Sequence, residues 1–250
     1  MSIVAVGSMH GSPGATTLAL ALASVWVRPG HDPLLVEADP DGGVLAARLG
    51  LGHHPSLTEL AVRARGPLRP DLVWETAQQL PSGRPVVVSH PSPDQCHATL
   101  RSGAARLAEV LLALPGHDAL VDVGRLRPAS PAAPLVDAAA VVLVAMRPRL
   151  EDVDAAVQRL PGLTADRAGR PIGIVLVGDE PYRAADVEAV LGVAVLAVLP
   201  VDARSAATIT AALPGRRAVH RLPLLRTVRA LAAELGLVLD GIEPLVGSGA

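Results

Sequence analysis

The residues best placed to do chemistry lie in Gly7-Ser8-Met9-His10-Gly11-Ser12-Pro13-Gly14-Ala15-Thr16-Thr17. Its glycines allow a loop whose consecutive backbone N–H groups turn inward, and Thr16 and Thr17 put hydroxyls at its far end. The loop follows the apolar run Ile3-Val4-Ala5-Val6 and precedes the helix former Leu18-Ala19-Leu20-Ala21-Leu22-Ala23. Strand, glycine loop and helix make an anion cradle, because the inward N–H groups and the positive end of the helix face one point. Acidic residues close two further apolar runs. Leu34-Leu35-Val36 empties into Glu37-Ala38-Asp39-Pro40-Asp41-Gly42-Gly43, and Ala119-Leu120-Val121 into Asp122-Val123-Gly124-Arg125. Carboxylates at the carboxyl ends of strands lie where a parallel sheet gathers its ligands.

The cations that a phosphate needs are harder to find. All 22 basic residues are arginines, so no lysine can serve as a point charge. An arginine holds phosphate through a longer planar fork and does not replace a lysine without a change of geometry. Pro13 removes one backbone donor from the cradle. These features predict a loosened grip on any phosphate.

Elements must position these residues, and the chain alternates short apolar runs with helical patterns throughout. Runs over 86–90, 119–123, 141–145, 173–177 and 193–199 are continuous enough for buried parallel strands. Helical spacing is expected over 44–51, 56–65, 97–114, 150–160, 182–191 and 222–235, with the first helix ending near Arg28-Pro29-Gly30. The predicted fold is α/β, a doubly wound and mainly parallel sheet flanked by helices, in one domain over 1–240 with a flexible tail over 241–250.

The loop resembles the deviant Walker A of the MinD/ParA family of P-loop ATPases, Lys-Gly-Gly-x-Gly-Lys-Thr-Thr. Gly11, Gly14, Thr16 and Thr17 are kept; His10 replaces the first lysine, Ser12 a glycine and Ala15 the second lysine, and Met9 stands at the first glycine of the general P-loop. The resemblance implies that Gly11, Ser12, Gly14, Ala15, Thr16 and Thr17 would surround ATP or ADP phosphates and that Thr16 would hold Mg²⁺. Glu37-Ala38-Asp39-Pro40-Asp41-Gly42 is similar to the family's Asp-x-Asp-Pro-x-Gly. It implies Glu37 near Mg²⁺ through water and Asp39 orienting the attacking water. Asp122-Val123-Gly124 is similar to the Walker B and switch II region, with Asp122 on Mg²⁺ through water.

Arg125 and Arg127 follow directly and are candidates to reach a phosphate, the alternative being surface arginines. Arg147-Pro148 falls where the family has a loop at its nucleotide-sandwich dimer interface, which implies a homodimer with Arg147 facing the second subunit. Pro200-Val201-Asp202 resembles the Pro-x-Asp loop beside the base, and Gly178 stands where the family has an asparagine that reads the adenine.

Composition bounds what remains. A net charge of −2 argues against general coating of nucleic acid. Arg216, Arg217, His220, Arg221, Arg226 and Arg229 form either a DNA-touching face or solvated flanks of a core helix. Cys96 is the only cysteine, which excludes an intramolecular disulfide, and no Cys-His-Asn arrangement surrounds it. His53-His54 would need further ligands from elsewhere to bind a metal. No run reaches the roughly 20 apolar residues of a membrane span, and neither a signal peptide nor a basic amphipathic tail is seen, so a cytoplasmic protein is expected.

The missing lysine and Leu/Ala-rich first helix look closest to the CpaE/TadZ-like branch, which implies a positioning scaffold for a pilus or secretion machine. The other readings are an active partition-type ATPase on DNA, completed by arginine or in trans, and a dethiobiotin-synthetase-like ligase.

Overall fold

A computed structural model describes the chain except for residues 11–12, 81, 166–168, 211–221 and 243–250. Gly11, Ser12, the basic residues of 216–221 and the end of the expected tail therefore lie outside the described residues. The elements run β1 (Ile3–Ser8), α1 (Ala15–Val25), β2 (Asp32–Glu37), α2 (Leu45–Leu49), α3 (Leu57–Arg63), α4 (Leu72–Thr76), β3 (Gln78–Gln79), β4 (Pro85–Val87) and α5 (Pro93–Leu112). They continue as β5 (His117–Arg125), α6 (Ala133–Ala138), β6 (Val141–Met146), α7 (Leu150–Ala165), β7 (Ile172–Val177), α8 (Ala184–Leu191), β8 (Val195–Leu199), α9 (Ala203–Thr210) and α10 (Pro223–Leu239).

The strands form one sheet in the order β3-β4-β2-β5-β1-β6-β7-β8. Every neighbouring pair is parallel except β3 with β4, so the expected doubly wound, mainly parallel sheet is present. Apolar side chains alternate between its faces. Ile3 and Ala5 join the core packed by α3, α5, α6 and α7, whereas Val4 and Val6 join the core packed by α1, α2 and α10. Burial on both faces is why β1 reads as an unbroken apolar run.

Several boundaries differ from the sequence expectation for local reasons. Helix α1 stops at Val25 because Trp26 becomes extended and its indole N–H donates to Asp118 Oδ2 at 3.2 Å. Helix α5 begins at Pro93, four residues before the expected start, since proline suits a first helical turn that has no use for its N–H. Helix α3 keeps its cap: Ser56 Oγ accepts from Thr58 N at 3.3 Å and Glu59 reaches back to Ser56 N at 3.0 Å.

Candidate nucleotide site

The carboxyl ends of β1, β2 and β5 meet beside the start of α1, with β5 lying between the other two. In register, Asp122 stands level with Val6 on one side and Glu37 on the other. A bulge between Val6 and Gly7 then shifts the pairing so that Gly7 faces Gly124. A Cβ at Gly7 would come within 2.8 Å of the Leu126 side chain, so only glycine lets the two strand ends close. Helix α1 starts from Gly14 at φ 106, a left-handed conformation natural to glycine, with no side chain capping its first N–H groups. Among the described residues nothing lies within 4 Å of a Cβ built on Gly14.

Asp122 is buried. Its Oδ1 accepts from Gly124 N at 3.1 Å, while Oδ2 is buried with no hydrogen-bond partner among the described residues. Burial pushes its pKa up to about 7, and the nearby Asp39 and Glu37 carboxylates add to this; the Thr16 side chain and the Gly124 N–H work against it. An orphaned buried oxygen beside a threonine hydroxyl fits a site for a hydrated cation, whose charge would offset the burial.

Asp39 sits directly over Gly124, so close that a Cβ there would occupy the carboxylate's place. Its Oδ1 accepts from Asp41 N at 2.8 Å. Burial raises its pKa, opposed by that N–H and by the charges of Arg125 and Arg127. Both arginines are exposed, and Arg127 Nη2 is held by Asp41 Oδ2 at 3.0 Å.

Glu37, which the family resemblance puts near Mg²⁺ through water, is buried and held by backbone N–H groups. Its Oε1 accepts from Val44 N at 2.7 Å and Leu45 N at 2.9 Å, and its Oε2 from Ser89 N at 3.0 Å. Both oxygens are thus committed to the start of α2 and the end of β4, although burial raises the pKa. Gly43 is required above it, because a Cβ there would lie 2.6 Å from Ser89 O and 2.7 Å from Glu37 Oε2.

Ala15 and Pro13 are buried and Thr16 and Thr17 half-buried at the loop's far end. Asp202 caps α9, accepting from Ser205 N at 2.9 Å and from the Ser205 hydroxyl, which holds its pKa low. Pro200 and Val201 precede it, and Gly178 N donates to Leu199 O at 2.8 Å, so the segments that follow β7 and β8 are adjacent. Arg147 is exposed; its backbone N donates to Asp152 Oδ2 at 2.9 Å.

Sequence reasoning missed the support supplied by α7. Asp152 Oδ1 lies 3.1 Å from His10 Nδ1, and the Arg159 guanidinium donates to Met9 O. These two residues, two helical turns apart on α7, hold the loop at the position where the resembling family has a lysine. Met9 points inward, 1% exposed, into the core beside Val123 and Leu126. The i, i+7 spacing of Asp152 and Arg159 is a signal of a shared helix face, but nothing in it names the loop as their partner.

Elsewhere, His54 pairs with Glu59 and His90 Nδ1 accepts from Ser92 N at 3.0 Å. Among the described residues no three His, Cys, Asp or Glu side chains converge as a metal-binding group. Cys96 lies in the first turn of α5, its thiol donating to His90 O at 2.8 Å and pushed up in pKa by burial. No helix of the described residues is long and apolar enough to cross a membrane.

No protein-family model matches the sequence, and no curated protein matches it at a significant level. Solved structures do match the fold. A ParA family ATPase from Chlorobium tepidum is 17% identical, covers 93% of this chain and 98% of its own, and has a TM-score of 0.76. The septum site-determining protein MinD of Pyrococcus horikoshii, complexed with Mg-ADP, is 16% identical over 98% and 99% of the two chains with a TM-score of 0.74. Cobyrinic acid a,c-diamide synthase from Mycobacterium smegmatis, with a bound ATP analogue and magnesium, is 16% identical over 100% of both chains with a TM-score of 0.70. An eight-stranded, mostly parallel sheet with helices on both faces and a glycine loop between β1 and α1 therefore has the P-loop α/β fold of the MinD- and ParA-type ATPases.

Proposed function

We propose that the protein binds ATP or ADP with Mg²⁺ at the edge formed by β1, β2, β5 and α1, and hydrolyses it slowly or not at all. On this reading it acts as a positioning or regulatory scaffold for a pilus, secretion or other cell-pole machine. The observation that carries the reading is the buried, unpartnered Oδ2 of Asp122 beside Thr16, in a site where Ala15 supplies no cation. The half of the site that suits Mg²⁺ is kept, and the half that grips the β- and γ-phosphates is stripped. Bound Mg²⁺ would supply charge to the phosphate oxygens; Thr16 and Asp122 would hold it, and the uncapped start of α1 would donate N–H groups to the phosphates. Asp39 would orient water if hydrolysis occurs. Pro200 and Asp202 would border the base, and Arg147 would face a second copy in a nucleotide-sandwich homodimer.

The neighbours solved with Mg-ADP or an ATP analogue support the nucleotide class. The likeness of the lysine-free loop to the CpaE/TadZ-like branch supports the scaffold role. Titration of the purified protein with fluorescent ATP tests it, with and without Mg²⁺, alongside phosphate release and sedimentation. Mg²⁺-dependent binding that Asp122→Asn abolishes, with negligible turnover, is expected; binding indifferent to both Mg²⁺ and Asp122 sinks the reading.

A second reading is favoured by Arg125, which is exposed, close to Asp39 and in no ion pair among the described residues. Arg125 would complete the site of an active partition-type ATPase working on DNA. DNA-stimulated turnover lost in Arg125→Gln would select it over the scaffold.

A further inference from the structure

Behind the candidate nucleotide site lies a cavity of about 300 Å³ between the segment that follows Asp122 and the second half of α7. Its walls are mostly apolar: Met9, Val123, Leu126, Ala133, Val136 and Leu163. Three arginines, Arg125, Arg127 and Arg159, border the same space against a single carboxylate, Asp137. A closed apolar floor with convergent cationic groups is the composition of a ligand pocket, and this volume is at the small end of the usual range. Two observations set it apart from a packing defect. Arg159 commits one N–H to Met9 O, and its remaining donors have no partner among the described residues, so a guanidinium edge is available inside the cavity. Ala129, in the lining segment, is held at φ 55, a conformation that a residue with a Cβ adopts at a cost.

We propose that this cavity is a binding site for a small amphipathic anion, an aliphatic body with a carboxylate head. The chain packs against Met9, Leu126, Val136 and Leu163, and the carboxylate pairs with Arg159 and with Arg125 or Arg127 at the rim. The segment Arg125–Ser130 also walls a second cavity of about 210 Å³ that contains Asp39 and Asp41. A ligand that fixes this segment from behind therefore sets the position of the residues around Asp39. Recognition of the anion needs no nucleotide, so it stands or falls apart from the reading above.

Octanoate is the test probe, with octanol as its neutral analogue, added to the ¹⁵N-labelled full chain without nucleotide. Saturable amide shifts clustered at Met9, 123–137 and 159–163, extending to Asp39 and Asp41, with octanol at least tenfold weaker, are expected. Gly162 provides the blocking variant: it is exposed and borders the cavity, and among the described residues a Cβ there meets nothing within 4 Å, so Gly162→Phe adds bulk at the cavity mouth without a clash. It should abolish octanoate binding while the melting temperature holds. Arg159→Gln, a second variant independent of cavity filling, should weaken octanoate at least tenfold and leave octanol unchanged. No saturable binding, equal binding of octanol, or octanoate binding that survives Gly162→Phe in a folded protein overturns the proposal.

Discussion

Asp122 holds a proton in the folded chain that an unfolded chain would release near pH 4. Between roughly pH 4 and 7 the native state binds more protons than the unfolded one. Stability from this group is therefore fully present below about pH 4 and is lost as pH rises through about 7. Urea melts across this range should show that decline, and Asp122→Asn should flatten it and leave the protein more stable at pH 8 by a few kcal/mol. A slope unchanged by the substitution would mean the carboxyl is ionised in the fold. Ala15 is the complementary residue. Since a lysine there would restore the cation facing the phosphates, Ala15→Lys should raise affinity for labelled ATP about tenfold or more, worth ~1.4 kcal/mol. No gain would show that the turn, with Met9 buried beneath it and Pro13 within it, does not present the side chain to a phosphate.

At the scale of elements, α7 is the support on which the loop rests. Asp152 bridges the His10 ring and the Arg147 N–H, so Asp152→Ala frees a ring and orphans a backbone donor. A loss of about 1–3 kcal/mol in thermal denaturation is expected, with faster hydrogen exchange at Arg147. Unaltered exchange there would mean that the loop does not rely on this contact. Long, strongly patterned elements were readable in the sequence. The strand ends carrying Asp39 and Asp122 and the capped helix α3 came from local rules of burial and capping. What was not readable depends on distant partners. Glu37 looks like any carboxylate at a strand end, and only the arrival of Ser89, 52 positions later, commits it to backbone N–H groups. The Arg159–Met9 contact joins residues 150 positions apart. Strand β3, of two residues, is too short to carry a period, so its pairing with β4 and not pattern defines it.

Across the whole molecule, the edge of the sheet opposite the loop is fastened by Arg28. Its guanidinium, nearly buried, reaches Asp118 Oδ1 at 2.7 Å, Asp240 Oδ1 at 2.9 Å and Leu239 O at 3.3 Å, and lies 3.4 Å from Ser2 Oγ. Asp118 is itself fully buried and also accepts from Ser2 N at 3.1 Å and from Trp26. Removing Asp118 leaves Arg28 with only the partly exposed Asp240 and strips the Trp26 and Ser2 N–H donors of their acceptor, so Asp118→Ala should cost about 3–5 kcal/mol in chemical denaturation. A cost below about 1 kcal/mol would mean that water reaches Arg28 from the end of α10.

One guanidinium thus gathers residue 2 and residue 240 at a single point beside Asp118, near the start of β5. The order in which the ribosome delivers the strands is then a matter of convenience. Joining 240 to 2 by a short glycine-serine tether and opening the backbone in the exposed turn at 66–69 should yield a permuted protein with the same sheet. Circular dichroism and a cooperative melt near that of the parent would bear this out; an aggregated product would show that the order of the strands along the chain matters to how it folds.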